Sequence, residues 1–166
     1  MEKKKILFVD MDGVLANFEK GLEGDFKRMF KPGFFRGLEP LENGLNETIQ
    51  EIEKQGYTVK ILSKAPVKKS NRLFLVHMMD KVNWIKEFIP AIDELNIIIQ
   101  ATDESKGDIV EMYKDHECIL IDDYSKNLAE WGLAGGKCIK KAKRIRNHRG
   151  WKQVLNISEL ALEGVL

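Results

Sequence analysis

The run KILFV (5–9) is followed at once by DMDG (10–13). Its apolar positions do not alternate with polar ones, so it reads as a strand buried on both faces. Such a strand belongs in a parallel sheet covered by helices, and that requirement constrains the rest of the chain more than any other feature. Two carboxylates at the end of a buried strand also need compensation. An unpaired charge beside an apolar interior is strongly destabilising or changes its protonation.

The remaining sequence supplies the partners. YTVKILS (57–63), LNIIIQ (95–100), ECILID (117–122) and GKCIK (136–140) are further strand candidates. Helical patterns lie between most of them. NGLNETIQEIEKQG (43–56) places Leu45, Ile49 and Ile52 near helical period, with Asn43 able to cap the start and Gly56 able to end it. DKVNWIKEFI (80–89), KGDIVEMYKD (106–115) and SKNLAEWGL (125–133) are read as helices too. The expected fold is α/β, a Rossmann-like parallel sheet with helices on both faces.

Residues 17–42 depart from this alternation and are too many for a simple strand-to-helix loop. They hold five of the eight phenylalanines. We expect a small helical cap inserted after the first strand, with an aromatic face, the core being formed by 1–16 and 43–166. Residues 64–79, KAPVKKSNRLFLVHMM, read as a second irregular, basic stretch. Trp84, Trp131 and Trp151 sit on helical patterns and are expected in the core.

Composition narrows the partners. Among 166 residues, 27 Lys and Arg face 26 Asp and Glu, for a net charge of +1. That balance gives no global attraction to nucleic acid or anionic membranes, and neither is expected as a partner. The basic run KKAKRIRNHRGW (140–151) is read as a solvated loop. No apolar run approaches the roughly 18 residues of a membrane span. MEKKK is basic, but only ILFV follows before Asp10, so a signal peptide is not expected and a cytoplasmic location is. Cys118 lies in an apolar run and is expected as a buried thiol. A monomer or a homodimer fits equally.

In α/β sheets ligands gather at the carboxyl ends of the strands. Asp10, Ser63, Asp122 and Asp123 all fall at such ends, and Lys106 starts the helix before the last acidic pair. Clustered carboxylates repel, and a hard cation relieves this. Mg²⁺ suits a few carboxylates, waters and a phosphate oxygen. The DxD spacing lets Asp10 act as a nucleophile on phosphorus while Asp12 protonates the leaving oxygen and then activates water. Ser63 and Lys106 would hold the phosphoryl oxygens. Lys64 joins them as a candidate phosphate-binding residue, although a solvated lysine is the commoner case.

The ordered set DMDGVLA, ILSKAP, DESKGDIV and ILIDD resembles the four motifs of the haloacid dehalogenase (HAD) superfamily in its phosphatase branch. More narrowly, FFRGLEPLENGL, GYTVKILS, DKVNWIKEF, LIDD and NHRGWKQV resemble the 5'(3')-deoxyribonucleotidase family. This resemblance implies a HAD-like core and an Mg²⁺-dependent phosphomonoesterase that takes a small nucleotide, a deoxyribonucleoside monophosphate, as substrate. Asp10 matches the nucleophile and a metal ligand. Asp12 matches the acid/base, with its backbone carbonyl on the ion, and Asp122 and Asp123 match the acidic pair completing the metal site. Phe18 matches an aromatic residue that faces the base, and Phe34 and Phe35 match an aromatic pair in the cap, all three being candidate substrate-binding residues; the other reading is that they form the core of the cap itself. Where the animal enzymes carry Thr-Ser, this chain has Ser63 followed by Lys64.

Alternatives remain at this level. The same chemistry serves another small phosphate ester or a nucleic-acid 3'-phosphate. A phosphoacceptor signalling domain, of the receiver type, also combines an acidic pair, a phosphorylated aspartate, a hydroxyl and a lysine, but its acidic pair lies on the first strand.

Overall fold

The computed structural model describes residues 2–146 and 149–162. Asn147 and His148, inside the late basic motif, lie outside the described residues.

Among the described residues, six strands form one sheet: β1 (Lys5–Val9), β2 (Tyr57–Lys64), β3 (Ile97–Gln100), β4 (Glu117–Asp122), β5 (Lys137–Lys141) and β6 (Lys152–Val154). Their order is β3-β2-β1-β4-β5-β6 and every pairing is parallel. This is the HAD-like, Rossmann-type α/β fold. The order reverses beside β1, where the chain returns from the β3 edge to lay β4 against β1's other side. Crevices at such switch points are where ligands bind in open α/β sheets.

Among the described residues there are six α-helices: α1 (Phe18–Leu22) lies in the segment inserted after β1, and α2 (Leu45–Lys54), α3 (Phe74–Phe88), α4 (Gly107–Met112), α5 (Ser125–Leu133) and α6 (Ser158–Leu162) pack around the sheet. Alternate side chains of β1 feed opposite faces, as the pleat requires. Leu7 and Val9 pack with Ile49 and Ile52 of α2 and Trp84 and Ile85 of α3. Ile6 and Phe8 pack with Ile109 and Val110 of α4 and Leu128 and Trp131 of α5. Both faces are thereby dry, which is why KILFV carries no polar residue after Lys5.

Several elements differ from the sequence reading. The stretch over 64–79 is irregular only through Leu73, because α3 begins at Phe74. Its buried face is Phe74, His77, Lys81, Val82, Trp84 and Ile85, a helical period hidden by two polar members. Asn43 does not cap α2; Gly44 takes that position in the left-handed region at φ 73°, where glycine carries no Cβ penalty. Trp151 is not helical: it stands just before β6 and is only partly buried, against the second core cluster. Strand β6 was not anticipated. Cys118 is buried, and both cysteines are free.

Residues 17–42 contain α1 and a 3₁₀ helix, Phe26–Phe30, capped by the side chains of Asn17 and Asp25. Ala16 bridges Pro40 in antiparallel fashion, so the segment leaves and rejoins the core at one place. It is fastened to the rest through Trp84, whose indole N–H donates to the Leu38 carbonyl at 2.8 Å.

Candidate active site

The sheet register builds the site. Val9 stands opposite both Ile61 and Ile121. Asp10, Ser63 and Asp122, each one or two residues further on, therefore reach the same rim. Asp10 is held there by its backbone N–H, which donates to the Ile121 carbonyl at 3.0 Å.

One ligand oxygen from each of Asp10, Asp122 and Asp123 can lie within 4.8 Å of the others. Asp10 and Asp122 are buried, while Asp123 is more open. Burial, and then the neighbouring Asp122, hold the Asp10 carboxyl well above the usual carboxylate range, against the opposing pull of Lys106. Asp123 is pushed up to about 7 by loss of water around it and by Asp122 and Asp12. Three carboxylates this close have more negative charge than one lysine offsets. Their donor set, all hard oxygen at the end of a sheet, fits a divalent Mg²⁺ ion.

Lys106, buried at the start of α4, is the cation the fold itself provides. Its Nζ lies 3.0 Å from Asp10 Oδ1 and 2.7 Å from Asp122 Oδ2, and it donates to the Leu62 carbonyl at 2.9 Å. Burial alone would favour its neutral form, but the two carboxylates outweigh that and raise its pKa above the ordinary lysine value. Asp122 is fixed further by the Tyr124 N–H at 2.9 Å and the Asn127 amide at 3.0 Å.

Gly13 is forced by the same crowding. A Cβ there would fall 2.1 Å from Asp123 Oδ2, and its φ of 76° is left-handed. The glycine of DMDG thus makes room for an acid 110 positions away in sequence.

Asp12 is held apart from the acidic cluster by a residue the sequence reading missed. Lys81 of α3 is fully buried and donates to Asp12 Oδ2 at 2.5 Å and to Ser63 Oγ at 2.9 Å. Its ammonium lies 4.1 Å from the Phe35 ring centroid. Asp12 Oδ1 is buried with no hydrogen-bond partner among the described residues. One oxygen is therefore fixed, and the other is left for a ligand or a proton. The signal for Lys81 was a lysine sharing a helix face with Phe74, Trp84 and Ile85.

A cavity of about 550 Å³ opens over this rim, and Asp10, Asp12, Asp123, Lys64 and Lys106 are among its lining residues. Phe18, Phe26, Met29 and Phe35 line it too. The volume suits a ligand of nucleotide size. Ser63 is fully buried beneath it, its hydroxyl engaged by Lys81. Burial lowers the pKa of Lys64.

The expected aromatic residues divide. Phe18 and Phe35 line the acid-bearing cavity, with rings 6.4 Å apart and nearly parallel at 7°. Phe35 is also part of the main core. Phe34 stands edge-on to both and lines a different cavity of about 330 Å³. Phe26 and Met29 enter the acid-bearing cavity although no motif marked them.

Comparison with known proteins agrees with this fold. A family model described as 5' nucleotidase, deoxy (pyrimidine), cytosolic type C, matches residues 22–155. A search of curated proteins found no match. Among solved structures, D,D-heptose 1,7-bisphosphate phosphatase from B. bronchiseptica, complexed with magnesium and phosphate, superposes with a TM-score of 0.62 at 14% identity. That match covers 97% of this chain and 98% of the other. A haloacid dehalogenase-like hydrolase from Xanthomonas campestris gives 0.61 at 12% identity over 99% and 96% of the two chains. One from Streptococcus pneumoniae gives 0.64 at 11% over 96% and 98%. At these identities the likeness is one of fold.

Proposed function

The chain belongs to the cytosolic type C 5'-deoxynucleotidase family, a family of phosphatases, and on that premise we propose that it is an Mg²⁺-dependent deoxyribonucleoside monophosphatase. The observation that carries the reading is the meeting of Asp10, Asp122, Asp123 and Lys106 beneath one cavity with Asp12 beside them. The family's description points to pyrimidine substrates first. We place residues 17–42 as the cap that closes over the base.

Asp10 attacks phosphorus, forming an acyl phosphate as the ester bond to the nucleoside oxygen breaks. Asp12 delivers a proton to that leaving oxygen. It then takes a proton from the water that attacks the phosphoenzyme, and Asp10 is released as a carboxylate with inorganic phosphate. Lys81 holds Asp12 Oδ2, so proton transfer falls to the unpartnered Oδ1. Lys106 keeps Asp10 oriented and offsets charge on the transferred group. Lys64 at the cavity wall faces the phosphate. Phe18 and Phe35 offer near-parallel rings in the same cavity, suited to a nucleobase. Asp10, Asp122 and Asp123, with the Asp12 carbonyl, would hold Mg²⁺, which when bound supplies positive charge against the acidic cluster and the phosphoryl oxygens.

The test is a panel of phosphate esters assayed with Mg²⁺ for inorganic phosphate release. Thymidine and deoxyuridine monophosphates are expected to exceed base-free sugar phosphates in kcat/KM by at least about tenfold, a margin typical of one stacked base. Equal turnover of deoxyribose phosphate would contradict the nucleotide reading.

A further inference from the structure

We propose that the loop following β5 forms a subsite for a second phosphate group on the nucleotide substrate, one that is bound and not cleaved. The inference rests on the nucleotide-phosphatase reading above and extends it to the substrate's other end.

A second cavity of about 420 Å³ lies beside the first and shares Asp123 with it. Five cationic side chains line it: Lys140, Lys141, Lys143, Arg144 and Arg146. Asp123 is its one acidic lining residue. The topology explains the adjacency. Strand β5 runs parallel beside β4, with Lys140 opposite Asp122, so the loop after β5 emerges on the same rim as the acidic cluster.

The concentration of charge is local. Seven of the chain's 27 Lys and Arg residues fall between Lys140 and Lys152, with no acid among them, although the whole chain carries only +1. The rest of the molecule is therefore net acidic, and this groove is where an added anion meets attraction. Internal partners neutralise only part of it. Lys143 pairs with Glu19 at 2.6 Å, Lys140 donates to Ser125 Oγ at 2.5 Å, and Lys141 acts on Glu42. Among the described residues, no carboxylate pairs with Arg144 or Arg146. The backbone at Arg146 is nevertheless pinned, its N–H donating to Gln153 Oε1 at 2.5 Å. Guanidinium groups held on a fixed backbone suit phosphate, which they bind through paired hydrogen bonds.

A deoxyribonucleotide with its scissile phosphate at Asp10 has one further sugar hydroxyl. A phosphate there extends the ligand beyond a cavity sized for a single nucleotide, and the adjoining groove is the surface of matching charge. Its source is either a nucleoside bisphosphate or the end of an oligonucleotide.

The test compares thymidine 5'-monophosphate, thymidine 3',5'-bisphosphate and a 5'-phosphorylated dithymidylate. Each is assayed with wild-type protein and with Arg144→Gln/Arg146→Gln. The readout is the ratio of kcat/KM relative to the monophosphate. At low salt the second phosphate is expected to raise that ratio about tenfold. The gain should shrink in the double variant and as salt screens the groove. A gain for the bisphosphate alone assigns the subsite to small nucleotides, and a gain for the dinucleotide assigns it to strand ends. Calorimetry of the same ligands with Asp10→Asn protein reads the subsite without turnover. No phosphate release from the monophosphate would contradict the nucleotidase reading and leave calorimetry to decide the subsite. Equal affinity for mono- and bisphosphate, or a gain unchanged in the double variant, would overturn the proposal.

Discussion

Lys81 exposes none of its surface, and both of its hydrogen bonds go to side chains of the site. A buried ammonium without partners would be strongly destabilising, so Asp12 and Ser63 make its burial tolerable and it in turn fixes them. Lys81→Met keeps the length and the apolar packing but frees Asp12 to turn. We expect kcat to fall about 10- to 100-fold with a smaller change in KM, since the lost function is proton transfer. The pH profile of kcat should shift as well; an unshifted profile with only lower stability would reduce Lys81 to a packing role. Its partners were legible from sequence because Asp12 and Ser63 stand at the ends of the apolar strands KILFV and YTVKILS. Lys81 was not, because one lysine among KVNWIKEF looks the same whether it faces solvent or core. The Cβ clash at Gly13 was equally invisible, since it depends on Asp123 folding in from the far half of the chain.

At the scale of elements, α3 joins the cap segment to the sheet and carries a second buried polar group. His77 is fully buried, and neither ring nitrogen has a hydrogen-bond partner among the described residues. Its ring stands edge-on to Phe35 at 5.7 Å. Burial lowers its pKa below 6.5, with Lys81 acting in the same direction and Asp80 against. A histidine kept neutral in the folded state contributes stability that is present above its unfolded pKa and is lost as pH falls through the folded value. Urea midpoints should therefore drop between about pH 7 and pH 5, and His77→Leu should flatten that drop. An equal drop in the variant would assign the acid sensitivity elsewhere. His77 also explains why the first turns of α3 escaped the sequence reading, since it interrupts the apolar period between Phe74 and the helix read over 80–89. Strand β6 escaped for another reason, since three residues with one buried side chain give too short a pattern to read. By contrast α5 was legible to its ends, because Leu128 and Trp131 are apolar at helical spacing and both are buried.

Across the whole molecule, the parallel sheet was readable because each central strand is apolar on both faces. The positions of the acids followed from the strands ending in them. The partition of the aromatic residues between two cavities did not follow, because it is set by how residues 17–42 fold back on α3. The proposed metal site would tie the fold to Mg²⁺. Mg²⁺ that binds only the native arrangement must stabilise it by mass action, by about 2.7 kcal/mol at a hundredfold excess over Kd. For a chain of this size that is a rise in Tm of about 5–10 °C. Asp123→Asn should diminish the rise; no shift with millimolar Mg²⁺ would contradict the metal site. The central claim is that Asp10, seated between Lys106 and the acidic pair, takes the phosphoryl group. Phosphate release from thymidine monophosphate by Asp10→Asn protein, with its circular dichroism checked against wild type, tests that most directly. The account predicts a loss of at least about a thousandfold in kcat with the fold retained. Turnover within tenfold of wild type would contradict it.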